Sequence, residues 1–158
     1  MTETWDIHPL GPEEAEAICR WTYPAPYDLY SLSPSDELRE ELLAGDYYGC
    51  CQAGRLLGYF CYGSAATIPT VESSPYGGEA LDIGLGLAPA CCGQGLGRAF
   101  LQAGLDFGEK AFGPRGWRLT VADFNRRAQK VYEALGFVTV QKLTHRRSGQ
   151  PFLLMEKR

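Results

Sequence analysis

Leu85-Gly-Leu-Ala-Pro-Ala-Cys-Cys-Gly-Gln-Gly-Leu-Gly97 decides how this chain folds. It reads as a strand end, a proline stop at Pro89, a turn with glycines at 93, 95 and 97, and the opening of a helix. The first turn of a helix carries N–H groups without intrahelical partners and the positive end of the helix dipole. Glycines let an anion approach those groups, and Arg98 adds a positive charge one residue on. The turn is therefore a candidate anion cradle. Two other phosphate motifs do not fit. No Gly-Lys-Ser/Thr is present for a P-loop, and G-x-G-x-G after a late strand is not the G-x-G-x-x-G of a dinucleotide-binding unit. The plain alternative is an ordinary glycine-rich strand-to-helix turn.

On either side, hydrophobic periodicity and punctuation predict a regular series of elements. Leu81–Leu87 is a strand in spite of Gly84 and Gly86, which mark a bulge or a close approach by another group. Upstream, a first strand is predicted over Thr4–Pro9 and a short helix over Pro12–Trp21, with Ala15, Ile18 and Cys19 on one face. Trp21–Leu32 is aromatic and holds two prolines, so it reads as a loop or broken helix. Ser35 caps a second helix carrying Leu38 and Leu42 on one face and stopped by Gly45. Tyr47–Gln52 and Leu56–Tyr62 flank Ala53-Gly54-Arg55 as a hairpin. Residues 64–79 are a long turn-rich stretch of the kind that often carries function. Downstream, a helix runs from about Gly95 to Phe112, then come a strand at Trp117–Ala122, a helix at Asn125–Leu135 and a hairpin of Phe137–Leu143 with Phe152–Glu156. The order β-α-α-β-β-β-α-β-α-β-β predicts an α/β fold, a mixed sheet with helices on its faces, in one domain over 1–158.

The composition narrows the function. The 158 residues are 45% apolar and 22% charged, ordinary for a globular chain, and 15 basic against 19 acidic residues leave a net charge of −4. No basic surplus favours nucleic acid, no apolar run is long enough for a membrane helix, and the start Met-Thr-Glu-Thr-Trp-Asp lacks the features of a secretory signal. A cytoplasmic protein is expected. The cysteines at 19, 50, 51, 61, 91 and 92 include no C-x-x-C and read as free thiols. Neither His8 nor His145 has a companion at ligand spacing, so no metal is expected.

The second informative segment is Asn125-Arg-Arg-Ala-Gln-Lys-Val-Tyr132-Glu-Ala-Leu-Gly136-Phe137. Asn125 is a helix N-cap and Gly136 a C′ residue with Phe137 packing behind it. Tyr132 lies two turns beyond Asn125, on roughly the same side. Taken alone, Tyr132 reads first as a core aromatic with its hydroxyl hydrogen-bonded at the edge.

Together, an L-x-P strand end with its glycine turn and the later N-x-x-A-x-x-x-Y-E-x-x-G-F resemble the pattern of the GNAT superfamily of acyl-CoA-dependent N-acetyltransferases. The resemblance extends over essentially the whole chain and is strongest over 81–137. It implies the GNAT-like fold, acetyl-CoA as co-substrate, a primary-amine acceptor on a small molecule or peptide, and no metal. It further implies that the backbone of Leu85, Gly86 and Leu87 pairs with the pantetheine arm, and that Gly93, Gln94, Gly95, Leu96, Gly97 and Arg98 hold the pyrophosphate. Asn125 would contact the cofactor and Tyr132 would act as general acid on the departing sulfur. Two positions depart from the pattern. Cys92 stands where the family often has Arg or Gln, and Thr120 where some members place a Glu base. Asp82 is similar to the Glu of the family's E-I-G-x-x-L-x-P variant and is the candidate base, working through water, with an exposed or structurally paired carboxylate at a strand start as its alternative. A catalytically silent acyl-CoA-binding module is the competing function, and a homodimer is left open. Acceptor choice is expected to reside in Trp21–Leu32, Ile68–Gly78 and the Thr144–Pro151 turn.

Overall fold

Each predicted element forms. A computed structural model describes residues 5–113 and 115–158, so Thr4, where the sequence begins the first strand, lies outside the described residues. The order is β1 (Asp6–Pro9), α1 (Pro12–Cys19), α2 (Asp36–Leu42), β2 (Tyr47–Gln52), β3 (Arg55–Tyr62), β4 (Leu81–Leu87), α3 (Gly97–Phe112), β5 (Trp117–Ala122), α4 (Arg126–Ala134), β6 (Val138–Thr144) and β7 (Pro151–Lys157). The strands form a mixed seven-stranded sheet in the order β1-β2-β3-β4-β5-β7-β6. The chain divides into two compact units, Met1–Cys61 with Leu85–Leu96, and Tyr62–Gly84 with Gly97–Arg158. β4 contributes to both.

In the first unit, β1 pairs antiparallel with β2, and β2 with β3, with a register shift between Cys50 and Cys51. α1 starts at Pro12 because proline suits the first helical position and Glu14 reaches back to the Gly11 N–H at 3.0 Å. α1 ends at Cys19 rather than Trp21; the Trp21 N–H turns back to the Ile18 carbonyl, closing the helix early. Ser35 caps α2 as expected, its Oγ accepting from Leu38 N–H at 3.0 Å. Leu10, Ala15, Ile18, Cys19 and Leu42 form the buried centre, with Trp21, Leu38, Tyr47 and Tyr59 packed on it. Glu16 receives both Arg39 and Arg20, which hold its carboxyl down at about 2. That trio is exposed and contributes little to stability.

The β2–β3 turn is tighter than the sequence suggests. Arg55 belongs to β3, which leaves Ala53 and Gly54 as the two central residues, at φ 51° and 78°. Positive φ at both positions is the requirement of a type I′ hairpin turn, which favours Asn-Gly. Alanine there carries a left-handed cost that asparagine largely avoids. Ala53→Asn is therefore expected to stabilise the chain by roughly 0.5–1 kcal/mol and raise Tm by about 1–4 °C in a thermal melt. An unchanged or lower Tm would show that the turn is not under this strain.

In the second unit, Leu81 and Asp82 of β4 face Trp117 and Arg118 of β5 in parallel. β5 and β6 then flank β7 antiparallel. Phe100, Leu101 and Leu105 of α3 are buried, as are Leu119, Val121, Leu154 and Met155 of the strands. Tyr62 donates to the Gly104 carbonyl at 2.6 Å. Gly108 gives α3 its close approach, because a Cβ there would overlap the Trp117 indole. α3 begins at Gly97, two residues later than the sequence suggests. Gly95 has φ +74°, outside the helical region, and so belongs to the turn.

Candidate active site

The first unit holds the end of β4 and most of the glycine turn. Leu85, Gly86 and Leu87 are half-buried. Gly86 is glycine for want of space, since a Cβ there would enter the Tyr59 ring. Tyr23, from the aromatic stretch after α1, donates its hydroxyl to the Leu87 carbonyl at 2.6 Å. Burial pushes that hydroxyl's pKa well above the usual tyrosine range. Tyr59 stacks on Trp21 with ring centroids 6.1 Å apart. The Pro89–Cys91 segment makes a single 3-10 turn, and the Ala88 N–H donates to Leu57. Cys92 Sγ lies 3.6 Å from the Ala88 carbonyl, so this side chain points back into the strand end. Gln94 Nε2 folds back on the Ala90 carbonyl at 2.7 Å.

Gly93 and Gly95 both have φ +74°, and a Cβ at either would meet nothing within 4 Å. These two glycines thus serve backbone conformation and leave open space beside the main chain. Gly97 differs. It opens α3 in the second unit, and a Cβ there would sit 3.2 Å from Val131 Cγ2 of α4. Arg98 is exposed in the first turn of α3.

The second unit also presents α4. Asn125 Oδ1 accepts from the Ala128 N–H at 3.1 Å, as its N-cap reading requires. At the other end, the Gly136 N–H donates to Glu133 and the Phe137 N–H to Tyr132, both at 3.0 Å, with Gly136 at φ +99°. This is a Schellman motif, and its hydrophobic contact is the Tyr132–Phe137 ring pair at 6.3 Å. Gln129 is buried and donates Nε2 to the Ala122 and Asp123 carbonyls at the end of β5. Tyr132 is thereby held on a short helix fixed at both ends and along one side, with about 9% of its surface exposed.

Asp82 is found in an ion pair. Its Oδ1 accepts from Arg118 Nε at 2.7 Å and its Oδ2 from Arg118 Nη2 at 2.9 Å, and both residues are buried. The same guanidinium donates to the Gly77 and Tyr76 carbonyls at 2.7 and 2.8 Å and lies over the Tyr76 ring. The hydrogen bond to Asp82 raises the Arg118 pKa above its ordinary value. Both Asp82 oxygens are thus paired with a fixed cation, which fits the paired reading of this carboxylate, and each oxygen keeps a further lone pair. At Thr120, the hydroxyl pairs with Tyr76 Oη at 2.7 Å.

Two of the segments expected to govern acceptor choice are tied together within this unit. Val71 N–H donates to the Thr144 carbonyl at 3.0 Å, the Glu72 carboxylate accepts the Thr144 N–H at 2.8 Å, and Arg146 N–H donates to Pro69. The hydrogen bond from Thr144 holds the Glu72 carboxyl below its ordinary range. Part of the long turn-rich stretch is thus an ordered strap on the β6–β7 hairpin.

Sequence reasoning did not find Tyr23, Tyr76 or Arg118. Tyr23 and Tyr76 lie in segments expected to govern acceptor choice, and Arg118 left its own signal, a charge within the mostly apolar strand Trp-Arg-Leu-Thr-Val-Ala.

The acetyltransferase (GNAT) family model matches residues 15–137. This chain belongs to the GNAT family of acetyltransferases and is an acyltransferase by class. No curated protein matches the chain in sequence. Solved structures similar in fold include a GNAT-family acetyltransferase from Bacillus anthracis, with 15% identity, 99% of this chain and 95% of that one covered, and TM-score 0.73. A spermidine N-acetyltransferase chimera of Vibrio cholerae SpeG and hSSAT shares 19% identity over 97% and 94%, with TM-score 0.74. AAC(6')-Ib in complex with ribostamycin and coenzyme A shares 16% over 98% and 93%, with TM-score 0.75. Among the described residues, no helix is long and apolar enough to cross a membrane.

Proposed function

We propose that the protein transfers the acetyl group of acetyl-CoA to a primary amine on a small molecule or peptide, by direct attack of the amine on the thioester. The observation that carries this is the 93–98 turn. Its Gly93 and Gly95 leave the main chain bare at the opening of a 16-residue helix, with Arg98 following. A pyrophosphate needs that combination of free N–H groups, helix dipole and absent side chains. Leu85, Gly86 and Leu87 offer backbone for the pantetheine arm, and Asn125 a further cofactor contact. Family membership, which runs through both units, supports reading the chain as one catalytic domain.

In the proposed reaction the amine nitrogen bonds to the thioester carbonyl carbon, the C–S bond breaks, and the sulfur leaves with a proton from the Tyr132 phenol. The nitrogen's surplus proton goes to water, and the Tyr132 phenolate regains its proton from water, which restores the starting state. Asp82 and Arg118 hold β4 to β5 and fix the 76–77 backbone, a positioning role. A cationic acceptor suits the net charge of −4. The comparison structures named for spermidine and ribostamycin concern amines, which supports an amine here without choosing one.

Gly95→Glu places a carboxylate in the cradle and is expected to weaken acetyl-CoA binding at least tenfold by calorimetry, about 1.4 kcal/mol. Because Gly95 has positive φ, Arg98→Glu is the companion variant without backbone strain; it should weaken binding in the same direction. Unchanged affinity in both variants would put the pyrophosphate elsewhere.

One observation favours the silent-binder alternative. The Asp82 carboxylate and the Thr120 hydroxyl, the two positions where a base was sought, are each engaged by a neighbour. Release of free thiol from acetyl-CoA across a panel of amines separates the two readings. No release with any amine, from protein that still binds acetyl-CoA, would leave only the binder.

A further inference from the structure

His8, Glu14 and Cys51 come together in the first unit, although they lie on β1, α1 and β2. His8 Nε2 stands 2.9 and 2.8 Å from Glu14 Oε1 and Oε2. Cys51 Sγ donates to Glu14 Oε2 at 3.4 Å. One donor atom from each of the three lies within 4.8 Å of the others. We propose that these three side chains form a binding site for a divalent zinc-class cation, with His8 Nε2, a Glu14 carboxylate oxygen and Cys51 Sγ as ligands and water in the fourth position.

The local sequence builds this arrangement. Along β1, Asp6 and His8 are two residues apart and face the same way. Cys51 is registered opposite Asp6, so its side chain shares that face, and Gly49 is registered opposite His8. Gly49 leaves the room that Glu14 fills, since a Cβ there would sit 3.0 Å from Glu14 Oε2. Glu14 is itself fixed at the start of α1 by the Gly11 N–H. Imidazole, carboxylate and thiolate together suit zinc, a borderline-soft ion with bonds of about 2.0–2.3 Å. Tetrahedral edges for such bonds are roughly 3.3–3.8 Å, so the His8–Glu14 pair needs to open slightly, the Cys51–Glu14 pair is already in range, and the His8–Cys51 pair lies within 4.8 Å.

The other histidine nitrogen adds a second observation. His8 Nδ1 lies 3.3 Å from Asp6 Oδ2. A metal-bound imidazole characteristically donates its second N–H to a carboxylate, which fixes the tautomer and raises ligand basicity. His8 is partly open to solvent, which gives the ion an entry path.

Without an ion the cluster is joined by hydrogen bonds to the Glu14 carboxylate. Burial pulls the His8 pKa down, but Glu14 and Asp6 outweigh it and raise it. Burial, aided by Glu14, pushes the Cys51 thiol up to about 11. Binding therefore breaks the Cys51 S–H bond, forms a sulfur–metal bond and releases that proton to water. A second proton leaves wherever His8 begins doubly protonated. A coordinated thiol is deprotonated outright in spite of its raised value. The resulting 2+ ion is balanced by the Glu14 carboxylate and the Cys51 thiolate.

The test uses the full chain, stripped with a chelator and titrated with Co²⁺ as a spectroscopic stand-in for zinc, then with Zn²⁺ against a chromophoric competitor. One equivalent should bind with micromolar affinity or better, with a thiolate-to-cobalt charge-transfer band and four-coordinate visible bands, and Zn²⁺ should raise Tm. His8→Ala and Cys51→Ser should each abolish the band and the Tm shift, with folding checked by circular dichroism. Cys92→Ser should leave both intact. Asp6→Asn should weaken binding roughly 10–100-fold while keeping the band. Failure to bind one equivalent, or a band that survives in both His8→Ala and Cys51→Ser, overturns the proposal. This readout is independent of acetyl transfer.

Discussion

Asp82→Asn is expected to destabilise the folded chain by about 3–5 kcal/mol, the usual consequence of leaving a buried charge without its partner. Arg118 is 3% exposed, and its guanidinium takes both Asp82 oxygens. The amide would accept one hydrogen bond but leave the cation unbalanced. Asp82→Leu combined with Arg118→Met should be less destabilising than the sum of the two single changes, because removing both partners leaves no lone charge. The recovery should be partial, since the Tyr76 and Gly77 carbonyls lose their donor as well. Denaturant unfolding reads all of this. A loss below about 1 kcal/mol for Asp82→Asn would show that the pair is not stabilising.

The same variant separates the two roles considered for Asp82. A lysine-like amine with pKa ~10.4 is almost wholly protonated at pH 7, so a base matters most there. If Asp82 were the base, the Asn variant would lose kcat/KM most at about pH 6–7 and recover toward about pH 9, where solvent supplies free amine. The ion pair predicts instead a loss of similar size at every pH, in step with lowered stability. Recovery at high pH in a fully folded variant would restore the base reading.

The elements were legible from the sequence because each carries its own punctuation. Ser35 and Asn125 cap their helices, and Gly136 ends α4 through a motif that Gly136-Phe137 spells locally. β4 and β5 have the predicted limits, with Pro89 stopping the first and Gly116 preceding the second. The glycine turn was legible for the same reason, its glycines alternating at 93, 95 and 97 within one short stretch. Boundaries slipped where a backbone conformation, not a pattern, decides. Gly95 could open a helix or sit at positive φ, and only the fold chooses. The long-range pairs were not legible at all. Asp82 and Arg118 meet because β4 and β5 run parallel in one register, and Tyr23 meets the Leu87 carbonyl across a long stretch of chain. His8, Glu14 and Cys51 are likewise joined by strand register and by a glycine that leaves room, neither of which appears as ligand spacing.

Tyr132→Phe is expected to lower kcat by roughly 10- to 1,000-fold with little change in acetyl-CoA affinity. As the amine bonds to the carbonyl carbon, thiolate character develops on a sulfur whose conjugate thiol resembles free cysteine at pKa ~8.5. A phenol near pKa ~10 stays protonated at neutral pH and has a hydrogen to give. The Phe variant keeps the ring, so the contact with Phe137 and the Schellman closure of α4 should persist. The variant should therefore melt within about 1 kcal/mol of the parent, a lost hydrogen bond at most. That pairing of a large kinetic loss with a small stability change is what distinguishes an acid from a core aromatic. A core tyrosine would show the reverse, with altered Tm and kcat per folded molecule intact. Activity should also fall less with an acyl donor whose thiol is more acidic, because a better leaving group needs less help from a proton. An equal fold-loss for acidic and ordinary thioesters would mean that Tyr132 orients the donor and does not protonate it.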